Sequence, residues 1–368
     1  MNYALPQRLS EGGMASVLRI EALPAEYGDS IWIEYGSARR PRRILVDCGT
    51  QAVYREALRS RIESLKPQDR HFELFVVTHV DVDHIGGAVD LLAESRRLGV
   101  TFGDIWFNGY RHLAAGRRGP LQGEDLTAHI EGMALPWNAS FGGGPVVVPE
   151  SAALPTVELA GGMRLTVLSP MPAQLAGLLP EWEKACRAAG LVPGSGRRRL
   201  RHRVRALLSR AMESIDALAD RRFVSDSARP NGSSIALLAE YRGRRVVLAA
   251  DALAPVLVSS LRRLTGGGAL RVDAFKLPHH GSRNNTNIEL VRAVACPHWI
   301  VSTNGKLFQH PDRECIARVA KYGTPGKTIH FNYLTRFNEM WQARLLARRY
   351  DFTVRYPSAG GPGIAVDL

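Results

Sequence analysis

The sequence has few cysteines and none in a pair: Cys48, Cys186, Cys296 and Cys315 are scattered, with no CxxC anywhere. That spacing offers neither a disulfide framework nor a thiolate zinc knuckle, and isolated thiols of this kind read as small buried apolar groups. The chain also lacks an apolar run of about 18 residues, the length that crossing a bilayer requires. Its first residues, Met1-Asn2-Tyr3-Ala4-Leu5-Pro6-Gln7-Arg8, do not follow the basic, then apolar, then small-residue order of a secretory signal. A soluble cytoplasmic protein with no membrane association is the expectation. No internal repeat runs along the chain.

What is present is 368 residues, 45% of them hydrophobic and 23% charged, an ordinary globular composition that excludes a disordered or fibrous chain. Lysine and arginine number 48 against 35 aspartates and glutamates, leaving +13, and the excess is nearly all arginine. A polyanionic partner would account for it. So would a coding bias toward arginine, alanine and glycine, and charge alone does not choose between them.

Short or alternating apolar runs bounded by Gly, Pro and charges predict strands at 16–21, 30–35, 43–47, 74–78, 104–108, 164–169, 234–241 and 244–249, and later at 274–278, 298–302, 328–331, 341–346 and 352–355. Apolar residues at three- and four-residue spacing predict helices over 52–65, 86–98, 253–264, 287–295 and 312–322. One stretch, 171–223, is helical in pattern and interrupts strand-rich sequence on both sides, so it reads as an insertion within a single domain spanning 1–368. Inside it a Pro-Gly-Ser-Gly break precedes a basic run containing Arg197, Arg198, Arg199, Arg201, Arg203 and Arg205. Guanidinium groups so arranged suit phosphates, and hence nucleic acid; a solvated or protein-binding helical face is the plainer reading.

The chemistry concentrates in Phe75-Val76-Val77-Thr78-His79-Val80-Asp81-Val82-Asp83-His84-Ile85-Gly86-Gly87. An apolar strand runs into four imidazole or carboxylate side chains within six residues, and a glycine pair then opens a helical pattern. Donors at i, i+2, i+4 and i+5 project to one side of the strand end, with the turn bringing the last one round. Clustering them costs repulsion that a bound divalent cation removes, so this is a candidate metal site.

The segment resembles the H-x-H-x-D-H signature of the metallo-β-lactamase superfamily, with Asp81 where the second histidine usually stands. H-x-D-x-D-H followed by Ile-Gly-Gly is similar to the β-lactamase-like domain of ComEC, the DNA-uptake channel protein of natural competence. Further likenesses follow in order: Gly28-Asp29-Ser30-Ile31 with Ile44-Leu45-Val46-Asp47-Cys48-Gly49, then Asn231-Gly232-Ser233-Ser234-Ile235 with Val246-Val247-Leu248-Ala249-Ala250-Asp251. Lys276-Leu277-Pro278-His279-His280-Gly281-Ser282, Asn304 and His310-Pro311 complete the series. No transmembrane helices of ComEC accompany them, so the chain is not itself a channel.

The resemblance implies an α/β fold, the αββα four-layer sandwich of two mixed sheets with helices outside, and a catalytic centre on Asp83, His84 and Asp251. His79 and Asp81 would hold a first metal ion and Asp83 and His84 a second, with Asp251 bridging. His279 or His280 would complete the second site, and Asp47 would orient ligands. The family's remaining histidine, on a middle loop, has its nearest candidate in His112. A carboxylate in place of an imidazole hardens the site, so the two divalent ions are Zn²⁺ or Mn²⁺. Such a pair, about 3.5–4 Å apart, acidifies a shared water and neutralises the attacked group. Ser282, Asn284 and His310 are candidate substrate contacts, His310 alternatively a general acid, and they tilt the reading toward phosphodiesters.

The leading expectation is therefore a metal-dependent phosphodiesterase, a nuclease acting on DNA. Two alternatives stand beside it: a small-molecule hydrolase such as a lactonase, thioesterase or cyclic-nucleotide phosphodiesterase, and an effector hydrolase of a bacterial defence assembly whose helical insertion docks a protein partner.

Overall fold

Residues 16–22 alternate inward apolar and outward polar side chains, the pattern of a strand with one covered face, whereas Leu74-Phe75-Val76-Val77 is continuously apolar, as a strand covered on both faces must be. In a computed structural model, which describes residues 16–113, 121–188, 213–358 and 361–368, these patterns become two mixed sheets. The first contains β1 (Ser16–Ala22), β2 (Ile31–Ser37), β3 (Arg40–Val46), β4 (Leu74–Val76) and β5 (Ile105–Trp106), side by side in sequence order. The second contains β6 (Thr156–Leu159), β7 (Met163–Ser169), β8 (Ala236–Tyr241), β9 (Arg244–Leu248), β10 (Ala274–Lys276), β11 (His298–Val301), β12 (Lys327–Phe331) and β13 (Phe352–Arg355), also in order. A last strand, β14 (Ile364–Asp367), returns to the first sheet and pairs antiparallel with β1.

Each sheet begins as antiparallel hairpins and continues in parallel: β4 and β5 run with β3, and β10 through β13 run with β9. Parallel neighbours need crossovers, and helices supply them. The principal ones are α1 (Val82–Leu98), α2 (Leu121–Gly132), α3 (Leu179–Ala188), α4 (Ile215–Asp220), α5 (Ala254–Thr265), α6 (Ile288–Arg292), α7 (Arg313–Tyr322) and α8 (Arg344–Tyr350).

The layers are visible in which side chains pack together. Ile20, Ile33, Ile44 and Val76 of the first sheet meet Leu165, Leu237, Val246 and Ile300 of the second in a central core. On the opposite face of the first sheet, Trp32, Leu45 and Phe75 pack with Ile85, Leu91 and Leu92 of α1 and Trp182 of α3. On the outer face of the second, Val247, Phe275 and Trp299 pack with Leu257 and Leu261 of α5 and Ile316 and Val319 of α7. The order is helix, sheet, sheet, helix, the αββα layering the resemblance implies. Each such buried side chain stabilises the fold by roughly 1.5–3 kcal/mol relative to its exposed state.

The stretch read as an insertion is anchored at both described ends. Leu175, Leu178, Trp182 and Cys186 join the helical layer of the first sheet, and Ile215, Leu218 and Ala219 join that of the second. The basic run from Arg197 to Arg205 lies outside the described residues. Among the described residues, no helix is long and apolar enough to cross a membrane.

The strand expected at 341–346 is not one. Trp341 sits in a short 3₁₀ turn (Glu339–Gln342), and Arg344-Leu345-Leu346-Ala347-Arg348-Arg349-Tyr350 is helix α8. Its Leu, Ala and Arg are strong helix formers, and the apparent apolar run reflects the single buried indole of Trp341. The helix expected over 287–295 is cut short after Arg292, and Val294–Ala295 pairs with Leu270–Arg271 instead.

His330 in β12 is buried with its Nδ1 unpartnered. Burial, reinforced by neighbouring His298 and Arg355, pushes it down to about 4. The unfolded chain therefore takes up this proton first, and stability is expected to fall as pH drops from about 6.5 to 4, by up to about 1.4 kcal/mol per pH unit from this group. Urea midpoints of wild type and His330→Gln across that range check it: the variant's acid limb should be flatter, and parallel limbs would contradict the assignment.

Candidate metal centre

The cluster forms because the carboxyl ends of parallel strands from both sheets converge. After β3 the chain enters a left-handed conformation at Asp47 (φ 57°), which turns its carboxylate toward the end of β4. Asp47 accepts from the Thr78 backbone N–H at 2.8 Å and the Thr78 hydroxyl at 2.7 Å, and its Oδ2 lies 2.7 Å from His84 Nδ1. Helix α1 starts directly after Asp81 and places Asp83 and His84 in its first turn. The glycine pair permits this: a Cβ on Gly87 would stand 2.5 Å from the Cys48 carbonyl oxygen, so only glycine lets the helix close on the loop carrying Asp47.

The second sheet contributes Asp251 after β9 and His279 and His280 after β10. In an extended strand, consecutive side chains point to opposite faces. Here His279 (φ 45°) and His280 (φ 54°) are both left-handed, and that turn brings both rings to one carboxylate. Asp251 Oδ2 lies 3.8 Å from His79 Nε2, 3.4 Å from His84 Nε2, 3.8 Å from His279 Nε2 and 3.6 Å from His280 Nε2. Both His279 and His280 therefore reach Asp251. Asp81 Oδ2 stands 3.6 Å from His79 Nε2, with its side chain 42% exposed. Asp83 Oδ2 stands 3.5 Å from His280 Nε2, and His84 and His280 approach to 3.3 Å.

Two carboxylates that sequence reasoning left without a role belong here. Asp29 is buried against Lys276 Nζ and 3.5 Å from His280 Nδ1, and with His84, Asp251 and His280 it forms a group whose donor atoms lie within 4.8 Å of one another. Its place beside a glycine was the available signal: a Cβ on Gly28 would collide with the Asp83 carbonyl at 1.9 Å. Asp226, just past the helical stretch, lies 3.4 Å from His279 Nδ1 and accepts from Asn231 and Asn285. No motif flags it, because its partner is 53 residues away in the chain.

Ser282, Asn284 and His310 line a cleft of about 660 Å³ whose floor includes His279. His112 does not join the cluster. Its Nε2 lies 3.2 Å from the Gly143 carbonyl and its ring meets Trp137 edge-on. It sits in a 3₁₀ turn, Tyr110–His112, that packs with the helical layer instead of reaching the sheet edge.

Burial alone would strip charge from these groups, yet they hold one another charged. Burial lowers His84, but Asp251 and Asp47 override it and keep the ring well above the ordinary imidazole value. Burial likewise opposes a charged His280, and Asp251, Asp29 and Asp83 push it up to about 9. Asp251, which burial would raise, is held well below the carboxylate range by His84, His280 and His279. His79 Nε2, Asp251 Oδ1 and Asp29 Oδ1 are buried with no hydrogen-bond partner, a costly condition that a ligated cation relieves. The 3.3–3.8 Å separations match the spacing of two ligands on one ion, about 3.4 Å for tetrahedral arms of about 2.1 Å. Imidazole nitrogen with carboxylate oxygen suits Zn²⁺, Mn²⁺ or iron.

Fold and cluster together define an αββα protein with a buried imidazole–carboxylate centre suited to divalent metal. No family model matches the sequence, and no curated protein sequence does. Among solved structures, the metallo-β-lactamase fold protein YhfI from Bacillus subtilis is similar over 96% of this chain and 100% of its own, at 12% identity and a TM-score of 0.43. CmlA, a diiron β-hydroxylase from Streptomyces venezuelae, is similar over 97% of this chain and 55% of its own, at 14% identity and a TM-score of 0.42. Likenesses this distant bring no activity, substrate or metal to this chain.

Asp47→Asn preserves shape but puts an N–H donor in place of one acceptor, either the oxygen shared by the His84 ring and the Thr78 hydroxyl or the one that accepts from the Thr78 backbone N–H. Metal affinity, measured by competition with a chromogenic chelator, is expected to fall about 10–100-fold; unchanged affinity would show that Asp47 does not orient His84.

Proposed function

We propose that the protein is a metal-dependent phosphodiesterase acting on DNA. The observation that carries the reading is the single oxygen of Asp251 facing four imidazoles, one of which, His279, opens onto a cleft lined by Ser282, Asn284 and His310. His79, Asp81, His279 and Asp251 would hold one ion, and Asp83, His84, His280 and Asp251 the other. Two divalent ions, when bound, supply an acidified water and positive charge against the attacked phosphoryl group.

The chain's own side chains do the rest. Asp226 and Asn285 fix His279 through its Nδ1, and Asp47 fixes His84 through its Nδ1, so each ring presents Nε2 inward. Burial lowers His310 below the ordinary imidazole value, against the pull of Asp312. A neutral ring of this kind serves as a hydrogen-bonding contact for a phosphoryl oxygen better than as a proton donor. Ser282 and Asn284 share its cleft. A polyanionic substrate is compatible with the net +13 of the chain.

The test is hydrolysis of labelled single- and double-stranded DNA with Mn²⁺, Zn²⁺ or Mg²⁺ added in turn, beside an Asp83→Ala, His84→Ala double variant. Metal-dependent cleavage that falls about 10³-fold or more in the variant is expected. Stoichiometric metal binding with no cleavage of either DNA would overturn the DNA reading and move the substrate to a small molecule.

A further inference from the structure

We infer that a second, arginine-walled trough beside the metal centre is a subsite for the phosphate flanking the attacked one on a nucleic-acid strand. The inference rests on the phosphodiesterase reading for the attacked phosphate, but its own evidence is separate. The trough, about 670 Å³, is lined by Arg221, Arg222, Arg283 and Arg318 and shares Arg283 and Asn284 with the metal cleft. The two cavities therefore adjoin along one wall, and a strand lying over the metals continues into the arginines.

The arginines are arranged, not scattered. Arg318 is fully buried and spends its guanidinium on backbone: it donates to the carbonyls of Arg283 at 2.7 Å, Thr286 at 2.6 Å and Arg221 at 3.0 Å. It thereby pins together the two segments that carry the other three. Glu314, also buried, accepts from both Arg221 and Arg283, so one carboxylate holds two guanidinium groups side by side. Glu213 meets Arg221 from the exposed side, where an ion pair contributes little. Arg222 is exposed and has no hydrogen-bonding or ionic partner among the described residues. Two of the four guanidinium groups thus meet carboxylates, Arg318 is held by backbone carbonyls, and the free one, Arg222, points to an acceptor from outside the chain. A phosphodiester offers the paired oxygens that a guanidinium fork grips.

The experiment uses the full chain free of metal, so that binding is read without cleavage. Anisotropy of a fluorescently labelled single-stranded oligonucleotide is followed against salt for wild type, Arg222→Ala and Arg222→Lys. Loss of one phosphate contact should reduce the slope of log affinity against log salt by about 0.7 in Arg222→Ala, and Arg222→Lys should retain it. Arg222 has no partner to lose, and equal melting temperatures will confirm that the variants are folded. An unchanged slope in Arg222→Ala overturns the inference. Displacement of the oligonucleotide by polyglutamate at equal charge concentration also overturns it, since the trough would then read negative charge of any kind. Hydrolysis of bis(p-nitrophenyl) phosphate by metal-loaded protein tests the parent reading alone: its absence beside an intact slope effect would remove the phosphodiesterase and leave a nucleic-acid-binding trough.

Discussion

Everything at the centre of this molecule answers to one buried carboxylate. Asp251 sits between two sheets with four imidazole nitrogens around a single oxygen, an arrangement that burial makes costly and that only positive charge makes tolerable. Its surroundings follow from that constraint. Asp47, Asp226 and Asn285 fix the far sides of the rings, and Lys276 offsets Asp29 next door.

Holding the arrangement takes backbone the chain would not otherwise adopt. Asp47, Ala250, His279 and His280 all lie in the left-handed region, and each such non-glycine residue costs of order 1–3 kcal/mol. All four sit at or next to strand ends bearing the site. The surrounding sandwich must over-determine them, and the close approach of α1 at Gly87 shows how tightly it does so.

Much of this was legible in the sequence, and what was not has physical reasons. The donor run from His79 to His84 announces itself because strand, ligands and glycine pair are contiguous, and most strands announce themselves by apolar runs. β6 and β14 did not, being edge strands of only four residues, largely uncovered by the core. The motif left His279 and His280 as alternatives, and the left-handed backbone at both positions, which sequence does not announce, brings both rings to Asp251. His112 attracted a role by nearness in sequence to a loop, while Asp226 escaped notice because its partners come from distant strands. Local pattern carries local chemistry; a site assembled from two sheets carries information that only their packing supplies.

The return of β14 to the edge beside β1 has a consequence for biosynthesis. The ribosome delivers β1 through β5 early, but β14 begins 348 residues after β1 does. Until then the nascent chain carries an open strand edge, with unpaired backbone groups that invite wrong partners. Arg19 and Glu21 put charge along that edge, and Arg19 later pairs with Asp367 of β14 itself. The guard against premature association and the latch that closes the sheet are therefore the same side chain.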